Sequence, residues 1–390
     1  MSTQPITRNS PAHAMLRAAV RDFVQTELDP HAEHWEKQGI WPARDVLKKM
    51  GDLGFLGLSY PEAYGGGGAD YTFNAVLLEE LGHAVPMGAT LGICVHTDMA
   101  TPALAQHGNE DLKQRYLAPA IRGEIVSAIA VSEPDAGSDV AAIRTRADDD
   151  GDDYVINGSK MWITNGAQAD YLCLLAKTGS SGGHSGSSLI VVPTNTPGFS
   201  VSRKLDKLGL RDSDTAILSF DNVRVPKTNR IGEEGKGFQY QMQQFQRERL
   251  AMTLMSLGSM ERCIELTKKY LKARKAFGKP LGHNQFIYFK LAELISEIEA
   301  LRYLAYECVS QYAAGQDMTR LASMAKLKSG LLSRQVADMC LQFHGGMGYV
   351  EEYPIARYFR DIRLWAIGGG ADEVMMEVIA KYEGLGPKGK

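Results

Sequence analysis

Three stretches of this sequence carry residue types that could act together chemically. The first is Ala130-Val-Ser-Glu-Pro-Asp-Ala-Gly-Ser-Asp139. Residues 125–131 are mostly apolar with a β-branched bias, which predicts a strand that stops at Ser132, since Pro134 cannot continue the ladder. Beyond it, the turn Ala136-Gly137-Ser138 offers backbone N–H groups and a hydroxyl to an anion. The second stretch, Lys160-Met-Trp-Ile-Thr-Asn-Gly166, reads as a short strand bearing Trp162 and Thr164, closed by an Asn-Gly turn. A planar ring held between the two would meet an aromatic face at Trp162 and hydroxyls at Ser132 and Thr164. Taken alone, both are better described as hairpin ends with ordinary turn residues. In the third, Phe245, Glu248, Met252 and Met255 fall at i, i+3, i+7 and i+10, so one carboxylate interrupts an apolar helical stripe. Taken out of water there, its pKa would rise and make it a stronger base. The alternative is a glutamate at the stripe's edge turned to solvent, with Arg247 and Arg249 as surface neighbours.

The elements that must position these residues follow from periodicity. Leu16, Val20, Phe23, Val24 and Leu28 repeat at helical spacing up to Pro30, and helical patterns resume near 43–51, 72–83, 90–106 and 110–122. The glycine-rich run 60–69 is not a phosphate loop, because no Gly-Lys-Ser/Thr follows it. From Ile125 to about Ile231 the chain changes to short β-rich runs (126–131, 154–156, 171–176, 189–193, 199–201 and 216–220) separated by turns, as in an antiparallel barrel or sandwich. Within it, 179–188 is Gly/Ser-rich and expected to be a solvated loop. Helical spacing returns at Gly237, with long stretches at 237–271, 283–314 and 319–343. Gly345-Gly346-Met347-Gly348 would let backbone approach a ligand closely or would cap a helix, and it is not a Rossmann turn, because no strand precedes it. The expected class is α+β: a helical domain over 1–123, an antiparallel β-domain over 124–235 and a helical domain over 236–390. Residues 1 to about 12 and 384–390 are expected to be disordered or frayed.

Composition narrows the functional classes. At 390 residues the chain can form two or three packed units. A net charge of -3, with 23% charged residues, argues against nucleic acid as the main partner. The five cysteines are scattered without a C-x-x-C pair, which predicts buried free thiols in a reducing compartment. No apolar run approaches the ~18 residues that span a bilayer. The N-terminus has no apolar signal core, and the periodic pattern begins by Met15, too early for a transit peptide, so a cytoplasmic protein is expected.

Four stretches, in order, resemble the successive flavin-site motifs of the acyl-CoA dehydrogenase family: Ser132–Asp139, Lys160–Gly166, Arg274-Lys-Ala-Phe-Gly-Lys279 and Gln342-Phe-His-Gly-Gly-Met-Gly-Tyr349. The resemblance extends from about Leu16 to Tyr382. It implies helical domains flanking a β-domain, the C-terminal one a four-helix bundle. It also implies FAD as cofactor, acyl-CoA as substrate, electron-transferring flavoprotein as electron acceptor and a homotetramer. By this resemblance Trp162 packs on the flavin ring, Val131, Ser132 and Thr164 contact it, and Ser138 reaches phosphate or the acyl-CoA. Arg274, Phe277, Gln342 and Gly346 would hold the adenine-diphosphate end, partly from a neighbouring subunit, and Glu373 aligns with a cofactor-contacting position. An arginine among strong donors suits a pyrophosphate. His344 is expected to be a packed histidine without a catalytic role.

The sequence departs from the family's common pattern at the base. Desaturating a thioester at Cα–Cβ needs a carboxylate to take the α-proton while hydride leaves Cβ for the flavin. Many members carry that glutamate in a loop reading Tyr-Glu-Gly-Thr. Here the matching stretch is Ile367-Gly-Gly-Gly-Ala-Asp-Glu373, and the aligned position is Gly369. The isovaleryl-type and long-chain branches place the glutamate on a helix of the C-terminal domain just before an arginine, which here is Glu248 followed by Arg249. The resemblance therefore implies Glu248 as base, with the Gly369 N–H polarising the thioester carbonyl and Arg249 and Gly368 contacting substrate. Glycines at 368 and 369 in place of Tyr-Glu predict more room near the reacting carbons, and hence a methyl-branched (isovaleryl- or citronellyl-like) or longer acyl chain. The competing readings are a same-fold flavin oxidase or monooxygenase and a non-catalytic flavin- or CoA-binding scaffold.

Overall fold

The computed structural model describes residues 10–179 and 186–386. The chain opens with eight helices: α1 (Pro11–Phe23), α2 (Ala32–Gln38), α3 (Ala43–Asp52), α4 (Tyr71–Leu81), α5 (Met87–Cys94), α6 (Pro102–His107), α7 (Glu110–Leu112) and α8 (Ala118–Ile121). Helix α1 starts before the apolar periodicity does. Ser10 caps it by accepting from the His13 N–H, and Pro11 occupies the first turn, where its missing donor costs nothing. The disorder expected to about residue 12 is corrected for 10–12, while residues 1–9 lie outside the described part. Helix α5 runs on into a wider π-turn segment, Val95–Ala100, and Pro102 starts α6.

Eight strands follow: β1 (Ser127–Ala130), β2 (Arg146–Asp150), β3 (Asp153–Thr164), β4 (Tyr171–Lys177), β5 (Ser187–Pro193), β6 (Phe199–Lys204), β7 (Thr215–Pro226) and β8 (Arg230–Ile231). They form one sheet in the order β6-β7-β3-β2-β4-β5-β8, with β1 added in parallel to β4. Apart from a single parallel pair between β2 and β4, the other pairings are antiparallel. Strand β2, Arg-Ala-Asp-Asp-Asp, was not expected, because Ala147 is its one apolar residue. It forms by pairing with β3 across a turn at Gly151, where φ is +70°. The runs expected at 154–156 and around Trp162 are one strand. The loop expected over 179–188 ends earlier, since Ser187 and Ser188 belong to β5, and 180–185 lie outside the described residues. Along β4 and β5 successive side chains enter different cores. Leu172, Leu174, Ile190 and Val192 join the core inside the β-domain, while Tyr171, Cys173, Leu189 and Val191 pack with Leu104, Leu112 and Leu117 of the helices.

The C-terminal part contains α9 (Gly237–Ala273), a small hairpin of β9 (Lys275–Ala276) and β10 (Lys279–Pro280), α10 (Gln285–Ala313), α11 (Thr319–His344), α12 (Pro354–Ile362) and α13 (Asp372–Tyr382). Leu254, Cys263, Leu294, Leu301, Ala325 and Val336 form a shared core between the three long helices. The short α13 completes the bundle by burying Met375. The middle of α9, from Arg247 to Met260, is buried on every face. The reason is a second layer. Helix α4 crosses α9 at Gly82 and Gly258, where an added Cβ would come within 2.2 Å of the Met255 and Glu79 carbonyl oxygens respectively. All five cysteines are buried and unpaired, as expected. No helix among the described residues is long and apolar enough to cross a membrane.

Candidate active site

Glu248 sits in that doubly covered part of α9 and is 5% exposed. Two glutamines on preceding turns of the same helix, Gln241 at 3.2 Å and Gln244 at 2.9 Å, donate through Nε2 to its Oε1. Burial pushes the carboxyl up to about 7, against the two amide hydrogen bonds and the Arg249 charge, while Asp98 adds to the rise. The glutamate is therefore not turned to solvent, and its arginine neighbours are not on the surface. Arg247 is buried, donating from Nε to Asp98 Oδ1 at 2.9 Å beneath the rings of Tyr71 and Tyr60, 4.9 and 5.5 Å away. Arg249 is also buried, with Nη1 3.4 Å from the Ser323 hydroxyl and an Nε that has no partner.

One turn past Glu248, Met252 meets the loop 367–370. Gly369 and Gly370 both have left-handed backbone, with φ of +63° and +99°. A Cβ at Gly369 would lie 2.1 Å from the Met252 Sδ, and one at Gly370 would lie 3.8 Å from Arg249 Nε. The structure thus sets the loop bearing Gly368 and Gly369 against α9 at Arg249 and Met252, within about one turn of Glu248. It also alters the steric expectation. Met252 occupies the space beside Gly369, and Met252 Cε and the Leu364 side chain border Gly368 at 3.6 and 3.5 Å from where its Cβ would be.

The two stretches proposed to hold a ring are joined by a buried ion pair. Lys160 Nζ on β3 donates to the Val131 carbonyl at 2.8 Å and to Glu133 Oε1 at 2.9 Å, and Glu133 in turn accepts from the Arg144 and Thr145 N–H groups. Burial pulls the Lys160 ammonium down to about 8, against the Glu133 charge. The Met161 N–H donates to the Ser132 carbonyl at 2.9 Å, which fixes the register of the 131–136 turn against β3. Strand β3 then bulges against β7 between Lys160 and Ile163. At the bulge Trp162 has φ of 61°, rare for a bulky residue, and its indole swings out to 50% exposure beside Gly137. Asn165, at φ 63°, bolts the strand end to α5 by donating from Nδ2 to the Gly92 carbonyl at 2.8 Å. Ser132 and Thr164 are half-buried next to this platform, and Ser138 is exposed. Helix α5 and its continuation also carry Cys94 and Asp98, whose charge environment includes Glu248, so they link the ring platform to the carboxylate.

Arg274, Phe277, Gln342 and Gly346 lie elsewhere. About 25 residues of continuous helix separate Glu248 from Arg274, which is ~38 Å at the α-helical rise. Phe277 is fully exposed at the tip of the β9–β10 hairpin, where it and Gly278 have φ of 51° and 77°, a two-residue turn with both residues left-handed. Gly345 ends α11 at φ +57°, and no atom lies within 4 Å of a Cβ built on Gly345 or Gly346. His344 is a packed histidine, as expected. Its Nδ1 donates to the Cys340 carbonyl at 2.7 Å, and its ring stacks on Tyr270 at 4.5 Å, docking the end of α11 onto the end of α9. These four residues thus gather at the far end of the bundle. Glu373 is exposed in the first turn of α13, three residues after Gly370. The sequence reading missed Gln241, Gln244, Asp98 and Lys160. The signal for the glutamines was present, because positions 241, 244 and 248 share one helical face.

Three family models match in succession, the N-terminal domain of acyl-CoA dehydrogenase at residues 10–124, its middle domain at 128–223 and its C-terminal domain at 235–383. The chain belongs to the acyl-CoA dehydrogenase family. It is 40% identical over 375 residues to the mitochondrial long-chain specific acyl-CoA dehydrogenase of Sus scrofa, covering 95% of this chain and 86% of that protein. The crystal structure of acyl-CoA dehydrogenase from Geobacillus kaustophilus superposes with a TM-score of 0.93 at 43% identity, covering 97% of this chain and 99% of that one. A structure described as the electron transferring flavoprotein of Acidaminococcus fermentans has a TM-score of 0.93 at 33% identity, covering 98% and 99%. Acyl-CoA dehydrogenases are FAD-dependent oxidoreductases acting on CH–CH groups, and this chain is one of them. Its residues fit the cofactor. The outward indole of Trp162 beside two hydroxyls and an open glycine turn suits a flat heteroaromatic ring. The exposed Arg274 and the open backbone at Gly345 and Gly346 suit a diphosphate.

Proposed function

We propose that this acyl-CoA dehydrogenase desaturates methyl-branched or longer-chain acyl-CoA thioesters with Glu248 as the base. The observation that carries this reading is a buried carboxylate with a pKa raised to about 7, one helical turn from the Met252 that packs against a loop whose residue 369 has no side chain. Glu248 Oε1 accepts both glutamine hydrogen bonds, which leaves Oε2 to take the α-proton. A base with a pKa near the working pH combines availability with driving force. The Gly369 N–H polarises the thioester carbonyl, stabilising the charge that develops there, and Arg249, Gly368 and Ser138 contact the acyl-CoA. FAD, when bound, supplies the hydride acceptor. Val131, Ser132 and Thr164 would contact its ring, Trp162 would pack against it and keep water away, and Glu373 would border the cofactor. The wall opposite Gly369 is the unbranched Met252, which adapts to the shape of a chain, and this supports a branched or longer substrate.

Arg274, Phe277, Gln342 and Gly346 are too far along the bundle to share a site with Glu248 of their own chain, so they are assigned to the FAD of a second copy, within a homotetramer. Electrons leave to electron-transferring flavoprotein, and the enzyme works in the cytoplasm. The test is anaerobic single-turnover flavin reduction across a panel of acyl-CoA chains. Glu248→Gln should retain FAD and acyl-CoA and reduce its flavin ~10²–10⁴-fold more slowly. Reduction near the wild-type rate would place the base elsewhere.

A further inference from the structure

The two glutamines that reach Glu248 are not equivalent. Gln244 is fixed at both ends of its amide. Its Oε1 accepts from the Ala103 N–H at 2.9 Å, and its Nε2 donates to the Met99 carbonyl as well as to Glu248. Turning that amide over would set its oxygen against the Met99 carbonyl and its NH2 against the Ala103 N–H, so one orientation is enforced. Gln241 makes the longer bond to Glu248, and its Oε1, buried, has no partner. Both amides address the same oxygen of the carboxylate, so the rotation of the carboxyl group is set by the better-anchored one.

We propose that Gln244 is the positioning residue of the catalytic base: held by the backbone at Met99 and Ala103, it fixes Glu248 Oε1 and so aims Oε2 at the substrate, while also stabilising the ionised form. The proposal rests on the reading of Glu248 as base. The titratable groups that face Glu248 are Arg249 on its own helix, Cys94 and Asp98 on α5 and its continuation, and Cys173 on β4. Burial lifts both thiols far from neutrality, Cys173 to about 12, and Asp98 is paired with Arg247. Burial raises the Glu248 carboxyl to about 7, within the pH range the experiment reads. A neutral donor removed from a buried carboxylate leaves the acid form favoured.

The experiment follows the protonated-carboxyl infrared band of Glu248 in the FAD-loaded protein without substrate, recognised as the band absent from Glu248→Gln, together with the pH profile of flavin reduction. Gln244→Met, similar in shape but without donors, should move both midpoints up by about one pH unit or more. Its flavin reduction should recover only partly at high pH, because orientation is lost too, while acyl-CoA affinity is unchanged. Gln241→Met should move the midpoints less. Gln244→Leu, likewise without donors, serves if the methionine variant does not fold, and should also raise the midpoint. An unmoved infrared midpoint in the Gln244 variants, or an equal shift in Gln241→Met, overturns the proposal. A Glu248→Gln protein that reduces its flavin normally instead overturns the assignment of the base, and the infrared result stands apart from it.

Discussion

The burial that equips Glu248 as a base also couples its protonation to folding. Below about 4.5, the ordinary value for this carboxyl, it is protonated in both folded and unfolded chains and has no effect. As pH rises past that point the unfolded chain loses its proton, while the folded protein keeps it up to about 7. The folded state then binds more protons, so its stability falls with rising pH across this window and levels off above it. A shift of this size corresponds to ~3 kcal/mol. Glu248→Gln removes the coupling, so between about pH 5 and pH 8 the Tm of wild type should drop more than that of the variant, other groups cancelling. Parallel Tm curves would mean that Glu248 ionises equally easily in the folded chain. Activity has the opposite dependence, since the base must be ionised, which sets stability against function at this one residue.

Between elements, the contact that shapes the site is the loop 367–370 against α9. Gly369 is left-handed, and Met252 fills the space a side chain would need. Gly369→Ala should therefore cost ~1–3 kcal/mol for the backbone and a further steric amount for Met252. Met252→Ala alone leaves a cavity and is also destabilising. The double variant should be less destabilised than the sum of the two, since the new methyl enters space the methionine has left. Urea unfolding of the four proteins gives the coupling directly. Strict additivity would show that the two residues do not press on one another. The same contact predicts that a carboxylate introduced at 369 can reach substrate only after Met252 is shortened.

At the scale of the whole molecule, the candidate site falls into two separate groups of residues, one around Glu248 and the ring platform and one at the far end of the bundle. If Arg274 serves the FAD of a second copy, Arg274→Ala and Glu248→Gln damage different halves of a composite site. Each variant alone should be weak, the first in flavin retention and the second in flavin reduction. Subunits of the two, unfolded together and reassembled, should regain activity that neither has alone, because some sites then combine an intact Glu248 with an intact Arg274. Activity of the mixture equal to the average of its components would confine each site to one chain.

The order of helical, β and helical regions was determined by the sequence itself, because hydrophobic periods of 3.6 and 2 are local properties. The long helices were readable for this reason, as was the carboxylate interrupting the stripe of Met252 and Met255. Strand β2 was not, since three aspartates in a row carry no apolar period and pair only because β3 lies alongside. The bulge that turns Trp162 outward was equally invisible, being a mismatch of register with β7 and not a property of the tryptophan. For Glu248 the sequence left two outcomes open, edge or interior. The continuation of α5, with Cys94 and Asp98, and strand β4, with Cys173, decided between them, by closing water out from a face that α9 alone would have left half exposed. Likewise, glycines at 368 and 369 signalled missing side chains, but only packing showed that Met252 takes up the space. Covalent order fixes which groups can lie on one face of an element. Desolvation, and with it the strength of a base, depends on what a second element, distant in the chain, lays over that face.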